Sequence, residues 1–201
     1  MQRDEQVAPG SIAVEPVTPD RWADLERLFG PSGAYAGCWC MYPRLTGREF
    51  DAEHGEGTRS RLQALVDAGE EPGLLAMQDC EPVGWVSVGP RPVYGRILRS
   101  PLFRPDRRGE DPADPAVWSV VCFFVGRAHR GGGLADPLLA GAVEHAAARG
   151  ARVVEGYPAV PGPGVTAEAL YWGTPAMFAR AGFVEAAAPS PGRRLVRRDL
   201  T

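Results

Sequence analysis

Three features of this 201-residue chain predict an α/β fold in which helices flank a mixed central β-sheet. The first is Val117 to Val125, a nearly continuous apolar run of the kind that forms a strand buried on both faces. Directly after it, Arg130-Gly131-Gly132-Gly133-Leu134-Ala135 makes a glycine-rich turn into a long amphipathic stretch that reaches Arg149. A second apolar segment, Ala151 to Tyr157, then completes a strand, helix, strand unit whose crossover should be right-handed and whose strands should be parallel. Open α/β sheets bind ligands at the carboxyl ends of such strands, so residues 125–135 and 155–158 are expected to converge.

The remaining elements follow in order. Residues 1–10 are polar, include Pro9 and Gly10, and read as a flexible leader to a single domain over 11–201, since this length leaves little room for a second core. Ser11 to Val17 reads as a short strand. Thr18, followed by Pro19 and Asp20, marks a helix start, with Trp22, Leu25, Leu28 and Phe29 on one face and Gly30-Pro31 as its stop. Gly33 to Leu45 is irregular yet rich in large side chains, so something must cover it. Thr58 to Ala68 fits a helix with Leu62, Leu65 and Val66 inward. Gly73 to Gln78 and Pro82 to Val88 flank Asp79-Cys80-Glu81 as an antiparallel hairpin that Gly89-Pro90 ends. Arg104 to Pro115 is charged and proline-rich and reads as an exposed loop. In the helix after the glycine-rich turn, Leu134, Leu138, Ala142 and Val143 form the inward stripe, Gly150 is the cap, and His145 is expected at the surface. Pro137 is tolerable there only if the first turn begins near Gly133. The pairs Arg193-Arg194 and Arg197-Arg198 are expected to flank a terminal strand.

Composition narrows the function. An apolar fraction of 44%, a charged fraction of 23% and the lack of any membrane-length apolar tract suit a globular, cytoplasmic protein, and Met1-Gln2-Arg3-Asp4-Glu5 lacks the apolar core of a signal peptide. A net charge of −3 argues against nucleic acid as partner, although all 22 cations are arginines. That absence of lysine, like the absence of asparagine, fits the codon bias of a GC-rich genome. Cysteines at 38, 40, 80 and 122 and histidines at 54, 129 and 145 complete no zinc spacing, so no metal is expected and the thiols are expected to be free.

The turn carries the chemistry. Glycines permit a tight bend, and a helix starting there aims unpaired N–H groups and its positive end at one point, which suits an anion. No frame of Gly131 to Asp136 fits the Gly-x-Gly-x-x-Gly dinucleotide pattern, and a Walker loop is excluded because the chain has no lysine. What remains reads Arg-x-x-Gly-x-Ala. On that turn, and on Met177-Phe178-Ala179-Arg180-Ala181-Gly182-Phe183 further on, the chain resembles the GNAT superfamily of acyl-CoA-dependent N-acetyltransferases, over roughly residues 11–200 and most specifically from Trp118 to Phe183. The resemblance implies a βαβ acyl-CoA-binding core with acetyl-CoA as donor. It implies that the strand backbone at Phe123, Phe124 and Val125 pairs with the pantetheine arm, while Arg130, Gly131, Gly132, Gly133, Leu134 and Ala135 hold the pyrophosphate. It also implies that the region after the first helix lines the acceptor pocket, which points to Cys38, Trp39, Cys40 and Tyr42, joined by Trp118, Tyr157 and Trp172 as an apolar, aromatic wall.

One departure bears on mechanism. Many members have a tyrosine, five residues before the last Phe, that protonates the leaving thiolate, and here that position is Phe178. Tyr171, which precedes the same helix, is the expected substitute, with Tyr157 behind it. An ammonium has no lone pair, so the acceptor must lose a proton, and Glu155, near the carboxyl edge of the second parallel strand, is the candidate base in an apolar surround that would raise its pKa. Cys122 is read as a core thiol rather than an acyl carrier, because no activating base is evident near it. These readings predict acetyl transfer to a primary amine of a small molecule, directly in a ternary complex, by a monomer or homodimer. The alternatives are an acyl-CoA-binding module without turnover, and a transferase using a longer acyl group or a peptide or aminoacyl acceptor.

Overall fold

The computed structural model describes residues 10–100 and 108–200, so the expected leader, Gly10 apart, and positions 104–107 of the expected loop lie outside the described residues. Strand β1 (Ile12–Pro16) runs antiparallel to β2 (Gly73–Gln78), and β2 to β3 (Glu81–Pro90). Only Asp79 and Cys80 bridge that hairpin, both at positive φ (49° and 64°), the conformation that matches the twist of a two-residue turn. β3 pairs antiparallel with β4 (Val117–Val125), and β4 pairs parallel with β5 (Val153–Gly156). Two antiparallel strands follow, β6 (Val184–Ser190) and β7 (Arg193–Asp199), giving one seven-stranded mixed sheet in the order β1-β2-β3-β4-β5-β7-β6. The arginine pairs expected beside a terminal strand lie within β7.

Helix α1 (Trp22–Phe29) follows a single 3-10 turn at Pro19–Arg21 and buries Trp22, Leu25 and Phe29. Two helices cross the other side of the irregular segment: α2 (Gly47–Glu53), started by a reciprocal Thr46–Glu49 capping box, and α3 (Glu56–Asp67), which buries Leu62 and Val66. A short α4 (Gly95–Arg99) follows β3. The crossover helix α5 (Ala135–Ala148) links β4 to β5, ends before Gly150 at φ 81°, and has Pro137 in its first turn, where the missing N–H costs no helical bond. Finally, α6 (Pro175–Arg180) opens on a Thr174 cap.

Apolar alternation along the strands fills two cores. On one face Leu138, Leu139, Ala142 and Ala146 of α5 pack on Val86, Val120 and Val154. On the other face α1, α3 and residues 33–45 meet over Leu75, Trp85 and Phe124, so the cover that the irregular segment needs is supplied by α1 and α3. His145, expected at the surface, is 8% exposed because it turns under Trp118, with ring centroids 5.9 Å apart.

The feature that makes room for a ligand is a parting of strands. β4 and β5 pair only from Val117–Val153 to Val120–Gly156, and at the same point β4 carries a bulge, since Ser87 faces Cys122 while Val88 faces Val120 and Val121 is extra. From Val121 to Val125 the β5-side edge of β4 is therefore unladdered. Phe178 of α6 fills the wedge. Its fully buried ring meets Phe123 and Phe183, and a Cβ at Gly156 would run into it.

Candidate functional site

Beyond the end of β4 the chain turns through Arg130–Leu134, with Gly131 at φ 80° and Gly133 at φ 77°, and open space where their Cβ atoms would be. Within the turn, Gly132 donates to the His129 carbonyl and Asp136 to that of Gly133, whereas the N–H groups of Gly131, Gly133 and Leu134 meet no acceptor among the described residues. No side chain caps the start of α5. A 14-residue helix thus presents bare N–H donors and its positive end to solvent at the mouth of the parted strands. The Arg130 Nε–H donates to the Val125 carbonyl at 3.2 Å, which fixes a further cation beside them.

A groove of about 460 Å³ runs from this turn along β4, touching Phe123, Val125, Arg130, Gly133 and Ala135 on one side and Thr174, Met177 and Arg180 of α6 on the other. Of the residues expected at this site, Leu134 and Phe124 face elsewhere. Leu134 is buried in the α5 core, and alternation turns Phe124 to the opposite face against Phe29.

A second cavity, of about 470 Å³, opens on the far side of β4. Val121 and Cys122, side by side at the bulge, form its floor. Cys38, Cys40 and Tyr42 wall it as expected, together with Phe50, Tyr171 and Trp172. Tyr171 lines both spaces, so its half-buried ring stands where they meet. Burial holds its hydroxyl pKa above the ordinary tyrosine value, with the Arg130 charge opposing, so the hydroxyl stays protonated at neutral pH. At the rim the Tyr35 hydroxyl donates to Glu168 at 2.6 Å, and hydrogen bonds, from Thr166 first and then Tyr35, hold the Glu168 carboxyl down at about 2. An ionised carboxylate therefore overlooks an aromatic cavity that also contains the His54 ring. Tyr35, His54 and Glu168 were not singled out from the sequence. Only their proximity in the fold marks them, because each lies in an irregular or 3-10 segment without periodicity.

Cys38, Cys40 and Cys122 form a thiol group apart from the exposed Cys80, with Cys40 Sγ 3.4 Å from Cys122 Sγ and accepting from Trp85 Nε1 at 3.1 Å. Hydrogen bonding to Cys40 and burial push the Cys38 thiol up, and the Cys122 contact does the same for Cys40, so neither is a thiolate nucleophile at neutral pH. Among the described residues, no three His, Cys, Asp or Glu side chains come together to hold a metal ion.

Three expected wall residues lie elsewhere. Trp39 turns to the other side of its segment and stacks on Trp22 at 6.0 Å. Trp118 sits at the opposite end of β4, over His145. Tyr157 is fully buried behind Trp172, its hydroxyl 2.9 Å from that of Ser119. Glu155 likewise lines neither cavity. Its surround is ionic rather than apolar: Oε1 lies 3.2 Å from Arg91, 3.4 Å from Arg108 and 3.5 Å from Arg197, and Oε2 accepts from the Tyr157 hydroxyl at 2.7 Å.

Comparison with known proteins bears on this arrangement. The family model described as Acetyltransferase (GNAT) family matches residues 37–171, which include β4, the turn and part of the lining of both cavities. No curated protein sequence matches the chain. Among solved structures, PaiA N-acetyltransferase from Thermoplasma acidophilum in complex with coenzyme A is 8% identical, with TM-score 0.53, over 94% of this chain and 99% of that one. An acetyltransferase of the GNAT family from Listeria monocytogenes is 15% identical, with TM-score 0.54, over 94% and 95%. Ribosomal-protein-alanine N-acetyltransferase from Brucella melitensis is 18% identical, with TM-score 0.52, over 94% and 99%. At these identities the likeness is one of fold.

Proposed function

The chain belongs to the GNAT acetyltransferase family, and from that premise we propose that it transfers an acetyl group from acetyl-CoA to the primary amine of a small molecule. The observation that carries the reading is the position of Tyr171 at the junction of a groove ending in bare helix N–H groups and an aromatic cavity. The residues fit the donor. Free N–H groups of Gly131, Gly133 and Leu134, with Arg130, suit a diphosphate, and the unladdered edge of β4 suits an arm bearing amide groups. Bound there, the thioester supplies an activated acyl carbon.

In the transfer a C–N bond forms and the C–S bond breaks; the incoming ammonium gives up two protons, one before attack and one as the amide forms, of which the thiolate gains one and the other passes to solvent. Tyr171, protonated at neutral pH and facing both spaces, donates the proton that the thiolate takes. Glu168 draws the incoming ammonium to the rim, the aromatic walls hold its organic part, and the first proton leaves through the cavity side, where the His54 ring lies. The Cys38 and Cys40 thiols are held in their protonated form, which favours direct transfer in a ternary complex. Glu155 acts from behind the cavity as an anchor of the arginines around it.

Calorimetry with coenzyme A, followed by thiol release from acetyl-CoA across a panel of primary amines, tests this reading. Saturable binding with amine-dependent release is the expected result. No heat of coenzyme A association would overturn the donor site, and tight binding without release to any amine would leave a binding module instead of an enzyme.

A further inference from the structure

Next to the acceptor cavity, and sharing Tyr42, Trp172 and Arg193 with it, lies a further lobe of about 460 Å³. Three guanidinium groups face it, those of Arg96, Arg99 and Arg193, and no carboxylate lines it among the described residues. Carbonyls and rings, rather than acids, hold two of these cations. Arg96 donates its Nε–H to the Tyr42 carbonyl at 2.7 Å and lies 3.8 Å over the Tyr42 ring. Arg193 donates to the Tyr157 carbonyl at 2.9 Å and lies 5.5 Å over the Trp172 ring. Such contacts orient a guanidinium without neutralising it, and most of its five N–H donors stay available. The acid closest in charge, Glu49, feels Arg99, but its carboxylate is engaged by the Thr46 N–H at 2.8 Å and the Thr46 hydroxyl at 2.7 Å. Among the described residues, none of the three arginines has an ion-pair partner.

Like charges gathered in one concavity repel, and a planar fork of donors matches the two oxygens of a carboxylate or phosphate. The acceptor cavity carries the opposite sign at its other side, where Glu168 lies. We propose that the arginine lobe is an anion subsite of the acceptor: the amine substrate carries a carboxylate or a phosphate, seated between Arg96 and Arg193, while its amino group extends past Trp172 toward Tyr171. The layout is dipolar, with guanidiniums at one end and a carboxylate at the other, and it selects a molecule of the same two charges in reverse. This inference rests on the acyl-transfer reading above and narrows its substrate class.

The test compares matched acceptors under saturating acetyl-CoA: phenethylamine against phenylalanine, and ethanolamine against β-alanine and O-phosphoethanolamine. The anionic member of each set is expected to have a kcat/KM at least about 10-fold higher, mostly through KM, and the carboxylate and phosphate arms identify which oxyanion fits. In Arg96→Gln and Arg193→Gln proteins that melt with the parent, the kcat/KM ratio of the anionic to the neutral acceptor should fall to about one. Equal rates for neutral and anionic partners, or an advantage that survives both substitutions, would overturn the subsite. If no amine is turned over, titration of the coenzyme A-saturated protein with phenyl phosphate and phenylacetate, read by tryptophan fluorescence, separates the two failures. Saturable binding weakened about 10-fold in both variants supports the subsite independently of turnover, and no saturable binding refutes it.

Discussion

Tyr171 and Phe178 divide between them what a single tyrosine would do. Phe178 is wedged where β5 leaves β4, its fully buried ring packed against Phe123, Phe183 and Gly156. Phe178→Tyr is expected to lower stability by about 1–3 kcal/mol for an unpartnered buried hydroxyl, without raising turnover. Denaturant unfolding beside an activity assay checks both halves. Tyr171→Phe should instead leave coenzyme A affinity intact and lower kcat by about 10²-fold, the lower end of what a positioned proton donor contributes. Unchanged turnover under saturating donor would remove Tyr171 from the reaction. His145 makes a third expectation. Burial first, and the Arg149 charge second, hold it down at about 4 against Glu71, which pulls the other way. Its native form stays neutral while the unfolded chain protonates near 6.5, so its stability contribution is whole above that pH and is lost as pH falls toward 4. At about 1.4 kcal/mol per pKa unit the loss is on the order of 3 kcal/mol. Unfolding midpoints at pH 7 and pH 4 should differ accordingly in the parent and much less in His145→Gln.

At the scale of elements, β4, the turn and α5 do the work together, and they were the most legible part of the chain. The unbroken apolar run of Val117–Val125 admits only a strand buried on both faces, and Gly131 and Gly133 do adopt positive φ. The bulge at Val121 was not legible, because register is a property of two strands and nothing in Val120-Val121-Cys122 distinguishes one residue as extra. Nor were α2 and α4, whose few residues carry too little periodicity and whose burial depends on what covers them. Alternation was readable in Phe123 and Phe124 but not which of them faces the groove, and the same holds for Cys38, Trp39 and Cys40, where positive φ at Trp39 and Cys40 decides the directions. Gly133→Val isolates the turn. A β-branched residue forced to φ 77° costs about 1–2 kcal/mol of strain, so the loop should relax away and coenzyme A affinity should drop by about 10-fold, with the unfolding midpoint little changed. Calorimetry that finds affinity unaltered would mean the diphosphate is held elsewhere.

At the scale of the whole molecule, the sheet is two half-sheets joined at a narrow neck. β1 to β4 form one half and β5, β7 and β6 the other, and the backbone ladder between them spans only Val117–Val120 against Val153–Gly156. Behind that neck Glu155 of β5 gathers Arg91 from the end of β3, Arg108 from the intervening loop and Arg197 from β7, while Glu110 pairs with the same arginines. Both acids serve three cations drawn from both halves, so the cluster fixes the angle at which β4 and β5 part and with it the width of both cavities. Sequence position brought Glu155 to the right end of β5, but its strand alternation points it into this cluster, and that depends on arginines far apart in the chain. Glu155 and Arg91 are fully buried, but Arg108, Arg197 and Glu110 are partly exposed and Glu110 still pairs with all three arginines, so Glu155→Gln should cost about 1–3 kcal/mol of stability. The substitution should also raise KM for donor and acceptor together, because the neck sets both spaces, and its pH–rate profile should parallel that of the parent. A Glu155→Gln protein of parental stability whose rate loss grows toward low pH would instead make this carboxylate a proton acceptor in the reaction and the neck a lesser matter.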